Sequence, residues 1–355
     1  MPALARPIRT RIVHLCVVAV AIGLVAGTAT ARAGTSYVDG ISDQSLPTWD
    51  GSFATSSFAR VFRATWLGQI TLARYALQWN AMSETSSGPN SDGDYRERFE
   101  AWLDDVQSLG LAPVIALTSY NHVYPNAAGE YQQELEALLE DAAGDGEPIG
   151  YVEAWNEPNN QGGETAARAG EIADWAHVTC AQRGCQVIAG DFEDNASLPS
   201  YEQAYVAALT FAPGVWGIHP YQSVKAHDDT GVVRFVQGLP NEGVDAQIWF
   251  TEVGAYYCAH GQVRGEAQQA SDVSYLLDTL IPAIAPTHVF YYGFMAGNGA
   301  EVPCAAPDDF DTELYRASDQ PRIAAQAILR ADSYHPLQLR ARPSEELLSF
   351  APSAT

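Results

Sequence analysis

From residue 37 onward the chain alternates short apolar runs with longer stretches in which apolar residues recur every three or four positions. The short runs read as strands and the longer ones as amphipathic helices. Eight strands are expected, at Tyr37–Ser42, Ile70–Trp79, Pro113–Ser119, Ile149–Trp155, Val187–Asp191, Val215–Tyr221, Gln247–Glu252 and His288–Phe294. Between them lie stretches such as "YRERFEAWLDDVQSLG", "EYQQELEALLEDA" and "SDVSYLLDTLIPAI". Gly110 reads as a helix stop, and Asp245 opens a short loop into the next strand.

Eight strand-then-helix units without a Pro/Gly/Ser-rich linker predict one α/β domain, a single (β/α)8 TIM barrel. A doubly wound open sheet is the alternative. It would want a glycine-rich phosphate loop after its first strand, and "GISDQS" there provides none. No repeat is visible at the residue level, and the length permits a large core. The expected organisation is a secretory signal peptide over 1–33, the catalytic barrel over 34–331 and a C-terminal tail over 332–355.

The signal reading rests on Arg6, Arg9 and Arg11 ahead of an apolar run from Ile12 to Gly27, with Ala31-Arg32-Ala33 as the small-x-small cleavage pattern. Sixteen residues interrupted by His14 are short for a membrane span. Secretion is therefore expected, with no membrane association after cleavage. The cysteines agree. Without Cys16 four remain, suited to two disulfides in an oxidising compartment. Three pairings are open. Cys180 and Cys185 flank the short loop "AQRG", so a local bridge there, leaving Cys258 to Cys304, is the simplest. Zinc is a poor fit because C-x2-C spacing is missing.

The precursor carries a formal charge of −24; without the four arginines of the signal, 15 basic residues face 43 acidic ones, a net −28. Such a surface disfavours nucleic acid and other polyanions. Lys225 is the only lysine. Oligomeric state is not legible.

In a (β/α)8 barrel, chemistry collects at the C-terminal ends of the strands. The polar residues there are few. The second strand carries Arg74 and ends near Gln78, Trp79 and Asn80. Tyr120, Asn121 and His122 follow the third, Asn156 and Glu157 the fourth, Asp191 and Glu193 the fifth. His219, Pro220 and Tyr221 close the sixth, Glu252 the seventh, and Tyr291, Tyr292 and Phe294 the eighth. Two glutamates thus end otherwise apolar strands, Glu157 after "VEAWN" and Glu252 after "IWFT". Three units separate them, which puts their strands nearly opposite one another across the mouth. Facing carboxylates are what glycoside hydrolysis needs, one to protonate the leaving oxygen and one to attack or to activate water.

At these residues the chain resembles clan A of the glycoside hydrolases, (β/α)8 enzymes related to families 5 and 39. "WNEP" at 155–158 is similar to the clan's fourth-strand motif and "WFTEVG" at 249–254 to its seventh-strand motif. "HPY" at 219–221 resembles the sixth-strand His-x-Tyr of family 5, and Arg74 in "LARYALQW" sits where many members have an arginine. No family within the clan is assigned. The resemblance implies a retaining enzyme with Glu157 as acid/base and Glu252 as nucleophile, the carboxyls about 5–5.5 Å apart. It implies substrate-binding roles for Arg74, Asn156, His219, Tyr221, Trp79 and Tyr292, with Asn156 at the sugar 2-hydroxyl. If Arg74 and the Tyr221 hydroxyl both reach Glu252, they favour its charged form; a negative Glu252 and the apolar Trp155 would favour a protonated Glu157. His219 could instead be a buried histidine bonded to a carbonyl. No metal and no cofactor is expected, since His122, Asp191 and His219 lack dense ligand spacing. About half of Trp79, Trp155, Tyr256, Tyr257, Tyr291 and Tyr292 are expected to stack on sugar. Many clan members have a tryptophan at the end of the eighth strand, where this chain offers Tyr292 or Phe294.

The implied partner is a neutral glycan. Which sugar, and whether cleavage is internal or from an end, is not legible. A catalytically inactive carbohydrate-binding barrel is the alternative; it would have lost one carboxylate, and both are present.

Overall fold

The protein is described by a computed structural model over residues 37–43, 57–83, 95–120, 123–160, 163–240, 246–295, 304 and 310–332. The expected signal peptide, most of the C-terminal tail, and Asn121, His122 and Asp245 lie outside the described residues.

Eight parallel strands close into a barrel. They are β1 (Val38–Ser42), β2 (Ile70–Gln78), β3 (Ala112–Thr118), β4 (Tyr151–Glu153), β5 (Gln186–Glu193), β6 (Val215–His219), β7 (Gln247–Val253) and, after a small hairpin, β10 (His288–Tyr292). Each coincides with an expected strand, trimmed or extended by up to two residues at most ends. The hairpin was not foreseen. Its strands, β8 (Cys258–Ala259) and β9 (Gln262–Val263), join β11 (Phe310–Asp311) in a three-stranded antiparallel sheet beside the barrel mouth. Two-residue strands have no period to read.

Helices α1 (Ser57–Thr65), α2 (Tyr95–Leu109), α3 (Ala128–Gly144), α4 (Ala166–Arg183) and α5 (Leu198–Ala208) follow the first five strands. Two helices, α6 (Tyr221–Ala226) and α7 (Thr230–Gly238), connect β6 to β7. The stops follow local chemistry. α2 ends at Gly110, which takes a left-handed φ of +68° open to glycine without steric cost. α4 opens with the Thr165 side chain accepting from the Arg168 amide and ends at Gly184, whose N–H donates to the Cys180 carbonyl. The Cys180–Cys185 bridge closes that turn, and Cys258 pairs with Cys304. The stretch expected as one helix at 271–284 is α8 (Glu266–Tyr275) running through a π-turn at 276–280 into α9 (Ile281–Ile284). Pro282 lacks the N–H that a regular ladder would use, and the wider turn absorbs the mismatch. α10 (Ile323–Asp332) ends the described chain. No described helix is long and apolar enough to cross a membrane.

Inside the barrel, a lower plug takes one side chain from every strand: Val38, Leu72, Val114, Tyr151, Ile188, Val215, Trp249 and Phe290. Two residues further along, the same inward rows read Gly40, Arg74, Ala116, Glu153, Gly190, Gly217, Thr251 and Tyr292. This upper layer mixes charged groups with residues that have little or no side chain. The small residues leave the charged ones their room: a Cβ at Gly217 would lie 3.0 Å from Asp191 Oδ1 and from Thr251 Oγ1. At Gly40 a Cβ would lie 2.4–2.9 Å from three ring atoms of Phe290. Gly40→Ala is therefore expected to lower stability by about 1–3 kcal/mol through overpacking, read as a lower denaturation midpoint with unchanged m-value; an unchanged midpoint would show that the plug has slack.

Candidate active site

The polar cluster at the mouth is organised around the Arg74 guanidinium on β2, which is fully buried. Its Nε donates to both Glu153 oxygens at 2.8 Å, and Nη2 donates to Glu153 Oε2 at 2.6 Å, Asn156 Oδ1 at 2.7 Å and Asp191 Oδ2 at 3.0 Å. Nη1 donates to Ser42 Oγ at 3.1 Å and to Glu252 Oε1. One side chain thereby joins β2 to β1, β4, β5 and β7.

Asp191 reaches this cluster through a bulge. The β5–β6 register shifts between Gly190 and Phe192, with Gly190 at φ +84° and Asp191 at φ +55°. Two consecutive left-handed residues turn the aspartate inward. Burial alone would raise the Asp191 carboxyl, but His219 and Arg74 outweigh it and hold the group well below the usual carboxylate range. Glu153, equally buried, moves the other way: burial dominates, the Asp191 charge adds to it, and Arg74 opposes without prevailing. The two carboxylates thus divide, Asp191 charged and Glu153 favouring its proton.

His219, at the end of β6, has no exposed surface. Its Nδ1 lies 2.8 Å from Glu157 Oε1 and 3.7 Å from Glu252 Oε2, and its Nε2 lies 3.0 Å from Asp191 Oδ1. Burial disfavours the charged imidazole, yet Asp191, Glu252 and the bonds to Asp191 and Glu157 hold its pKa well above 6.5. With carboxylates at both ring nitrogens, the surroundings favour the imidazolium, in which both nitrogens donate.

Glu157 follows β4 with a left-handed φ of +45°, its amide donating to the Asp191 carbonyl at 3.0 Å. A β-carbon makes that backbone costly, so the turn is held by its surroundings. Oε2 accepts from Asn160 Nδ2 at 2.9 Å. The expectation that Glu157 favours its protonated form is reversed: burial does push the carboxyl up, but the His219 hydrogen bond and charge, with Asn160, lower it below the ordinary value. Trp155 is present beside it but packs against Tyr124. What the local sequence did not reveal was the charged imidazole beside Glu157.

Glu252 is held from both sides, by Arg74 on Oε1 and by the Tyr221 hydroxyl, which donates to Oε2 at 3.1 Å. One ligand atom each of Glu157, His219 and Glu252 all lie within 4.8 Å of one another. Glu153, Asp191 and His219 form a second such group. In that second group Arg74 already donates to both carboxyl groups.

The six residues expected to bind substrate separate into two kinds. Arg74, His219 and Tyr221 are buried and touch the carboxylates, so they position those groups and have almost no surface for a sugar. Trp79 is also buried, its indole N–H donating to the Val123 carbonyl at 2.5 Å, which makes it a support of the loop after β3. Asn156 and Tyr292 are partly open. Asn156 Oδ1 is taken by Arg74, which leaves its amide NH2 as the donor. Of the other expected stacking aromatics, Trp155, Tyr256 and Tyr291 are buried, and Tyr257 lies under the Arg322 guanidinium.

Glu153, Ser42 and Thr251 were not foreseen. Glu153 sits inside a strand with nothing local to mark it. The bulge did leave a trace, a glycine within the strand pattern "VIAGD".

No family model matches the chain, and no curated protein matches it. Solved structures do. GH5_18 from Streptomyces cattleya in complex with GlcNAc is 14% identical, with a TM-score of 0.61, over 87% of this chain and 82% of that one. The GH39 enzyme from Xanthomonas axonopodis pv. citri is 13% identical, with a TM-score of 0.58, over 86% and 67%. Exo-beta-1,4-mannosidase Op5Man5 from Opitutaceae bacterium strain TAV5 is 11% identical, with a TM-score of 0.57, over 84% and 60%. The chain shares the (β/α)8 fold of these glycoside hydrolases.

The charge on His219 can be checked directly. Its folded pKa lies above that of an unfolded histidine, about 6.5, so the stability it contributes is fully present below that pH and is lost as the pH rises through the raised value. Imidazole ¹⁵N NMR at about pH 7.5 is expected to show both ring nitrogens protonated. A neutral tautomer at that pH would overturn the assignment.

Proposed function

We propose that the chain is a secreted, retaining glycoside hydrolase that cleaves O-glycosidic bonds of a neutral poly- or oligosaccharide, with Glu157 as acid/base and Glu252 as nucleophile. The observation that carries this reading is the approach of the two side chains: their nearest ligand atoms lie within 4.8 Å. Such closeness fits the short separation of double displacement, about 5–5.5 Å between carboxyls, better than the separation of about 6.5–9.5 Å by which inverting enzymes make room for water.

In the first step a Glu252 oxygen bonds to the anomeric carbon as the glycosidic C–O bond breaks, and Glu157 passes to the leaving oxygen a proton drawn from the His219 imidazolium, which becomes neutral. In the second, Glu157 takes a proton from water and returns it to His219, while the water oxygen bonds to the anomeric carbon and its bond to Glu252 breaks. The buried supports have distinct parts in this. Arg74 and Tyr221 hold Glu252 by one donor on each oxygen. His219 keeps a proton 2.8 Å from Glu157 Oε1, so the acid step draws on a proton shared along that hydrogen bond. The NH2 of Asn156, whose Oδ1 is occupied by Arg74, suits the sugar 2-hydroxyl.

Secretion belongs to the same reading, supported by the N-terminal sequence and by two disulfides. The signal at 1–33, the catalytic barrel over 34–331 and the tail over 332–355 complete it.

A screen of aryl glycosides and plant, fungal and bacterial polysaccharides at mildly acidic pH is expected to reveal turnover. Glu157→Gln and Glu252→Gln should each lower kcat by about 10³-fold or more. Azide should rescue a Glu252→Gly variant to a glycosyl azide of inverted configuration, whereas any azide product of a Glu157→Ala variant should retain the configuration. Near-normal rates in either glutamine variant would sink the assignment.

A further inference from the structure

We propose that Phe310 is the apolar wall against which the substrate's sugar ring packs beside Glu252, and that the β8–β9–β11 sheet serves to hold it there. The inference rests on the glycosidase reading and adds a specificity-determining residue from outside the barrel strands.

Phe310 is a large apolar side chain with 37% of its surface open. Its neighbours are the tyrosines at the barrel mouth. Its ring stands edge-to-face with Tyr221 at 5.7 Å, Tyr256 at 5.1 Å and Tyr292 at 5.6 Å between centroids. Tyr221 in turn donates to Glu252, so one aromatic layer separates the exposed ring from the proposed nucleophile. The Tyr292 hydroxyl feels the same carboxylates: burial first, then the charges of Glu252, Asp43 and Glu157, push its pKa up. An exposed phenyl ring costs free energy in water, and here it borders the tyrosines that line the proposed nucleophile. The apolar C–H face of a pyranose fits such a ring.

The ring is also held more firmly than a loop side chain needs to be. Phe310 and Asp311 pair with Ala259 and Cys258 of β8, and Cys258 is bonded to Cys304. The buried Arg322 donates to both oxygens of Asp311, at 2.6 and 2.8 Å. The Asp311 carbonyl accepts from the Tyr257 amide at 2.8 Å, and the Thr312 hydroxyl donates to the Tyr292 carbonyl at 2.8 Å. Two glycines let Thr312 come that close: a Cβ at Gly254 or at Gly293 would lie 2.9 Å from its side chain. A disulfide, a buried ion pair and ladder bonds thus fix a single exposed ring over the end of β7 and β10. Fixing it beforehand removes an entropic cost from binding.

The test uses the full chain carrying Glu157→Gln, so that sugars are not consumed, and calorimetric titration with cellohexaose, mannohexaose, xylohexaose and laminarihexaose. Phe310→Ala is expected to weaken the best-bound hexaose about tenfold, and Phe310→Trp to restore it, with both variants melting close to the parent. Unchanged affinity in Phe310→Ala, failure of Phe310→Trp to restore it, or no binding of any hexaose by the parent overturns the proposal. Turnover by the chain with Glu157 intact is measured in parallel. Phe310-dependent binding without turnover removes the glycosidase reading and leaves the wall. Turnover with the same KM and kcat in Phe310→Ala, on a substrate that the parent binds, removes the wall and leaves the reading.

Discussion

The buried guanidinium of Arg74 is the interaction on which the upper half of the barrel depends. A charge with no exposed surface is tolerable only when its donors are matched, and stripping one partner from such a cluster typically costs about 3–5 kcal/mol. Here the partners come from β1, β4, β5 and β7, so satisfying one side chain draws half the barrel toward one point. Other features follow from it. Glycines stand at Gly40, Gly190 and Gly217 where larger side chains would crowd the layer, and the bulge at Gly190 turns Asp191 inward to share the arginine.

From that cluster the electrostatics pass outward in sequence. Asp191, kept charged, makes an imidazolium of His219 affordable in the core, and His219 then hydrogen-bonds Glu157. The residues that meet solvent are few and the ones that hold them are many. Glu157, Asn156 and Tyr292 are partly open, while Arg74, Glu153, Asp191, His219 and Tyr221 are buried beneath them. This is the order expected of a site whose geometry must not relax: exposed groups on the surface, each locked by a buried donor or acceptor. The small sheet repeats the scheme for an apolar group, with Arg322 and Asp311 buried under Phe310.

What the sequence determined by itself was periodic or positional. Eight apolar runs at barrel spacing define the eight strands, and the end of each strand is where chemistry must lie, so Glu157 and Glu252 could be set opposite one another from residue numbers alone. Gly110 and the Cys180–Cys185 turn were likewise local matters. The tertiary structure decided everything that depends on which side chains meet inside the ring. Arg74 bonds four elements that are 32 to 178 residues away along the chain, and no window of sequence contains such a set. Glu153 looks like any strand residue until the fold places it against that arginine. The sign of the Glu157 pKa shift turned on His219, 62 residues on: desolvation is the largest single influence, but the His219 hydrogen bond at 2.8 Å, its charge and the Asn160 bond together outweigh it. Phe310 became visible only when a two-residue strand, too short to carry any period, paired beside the mouth.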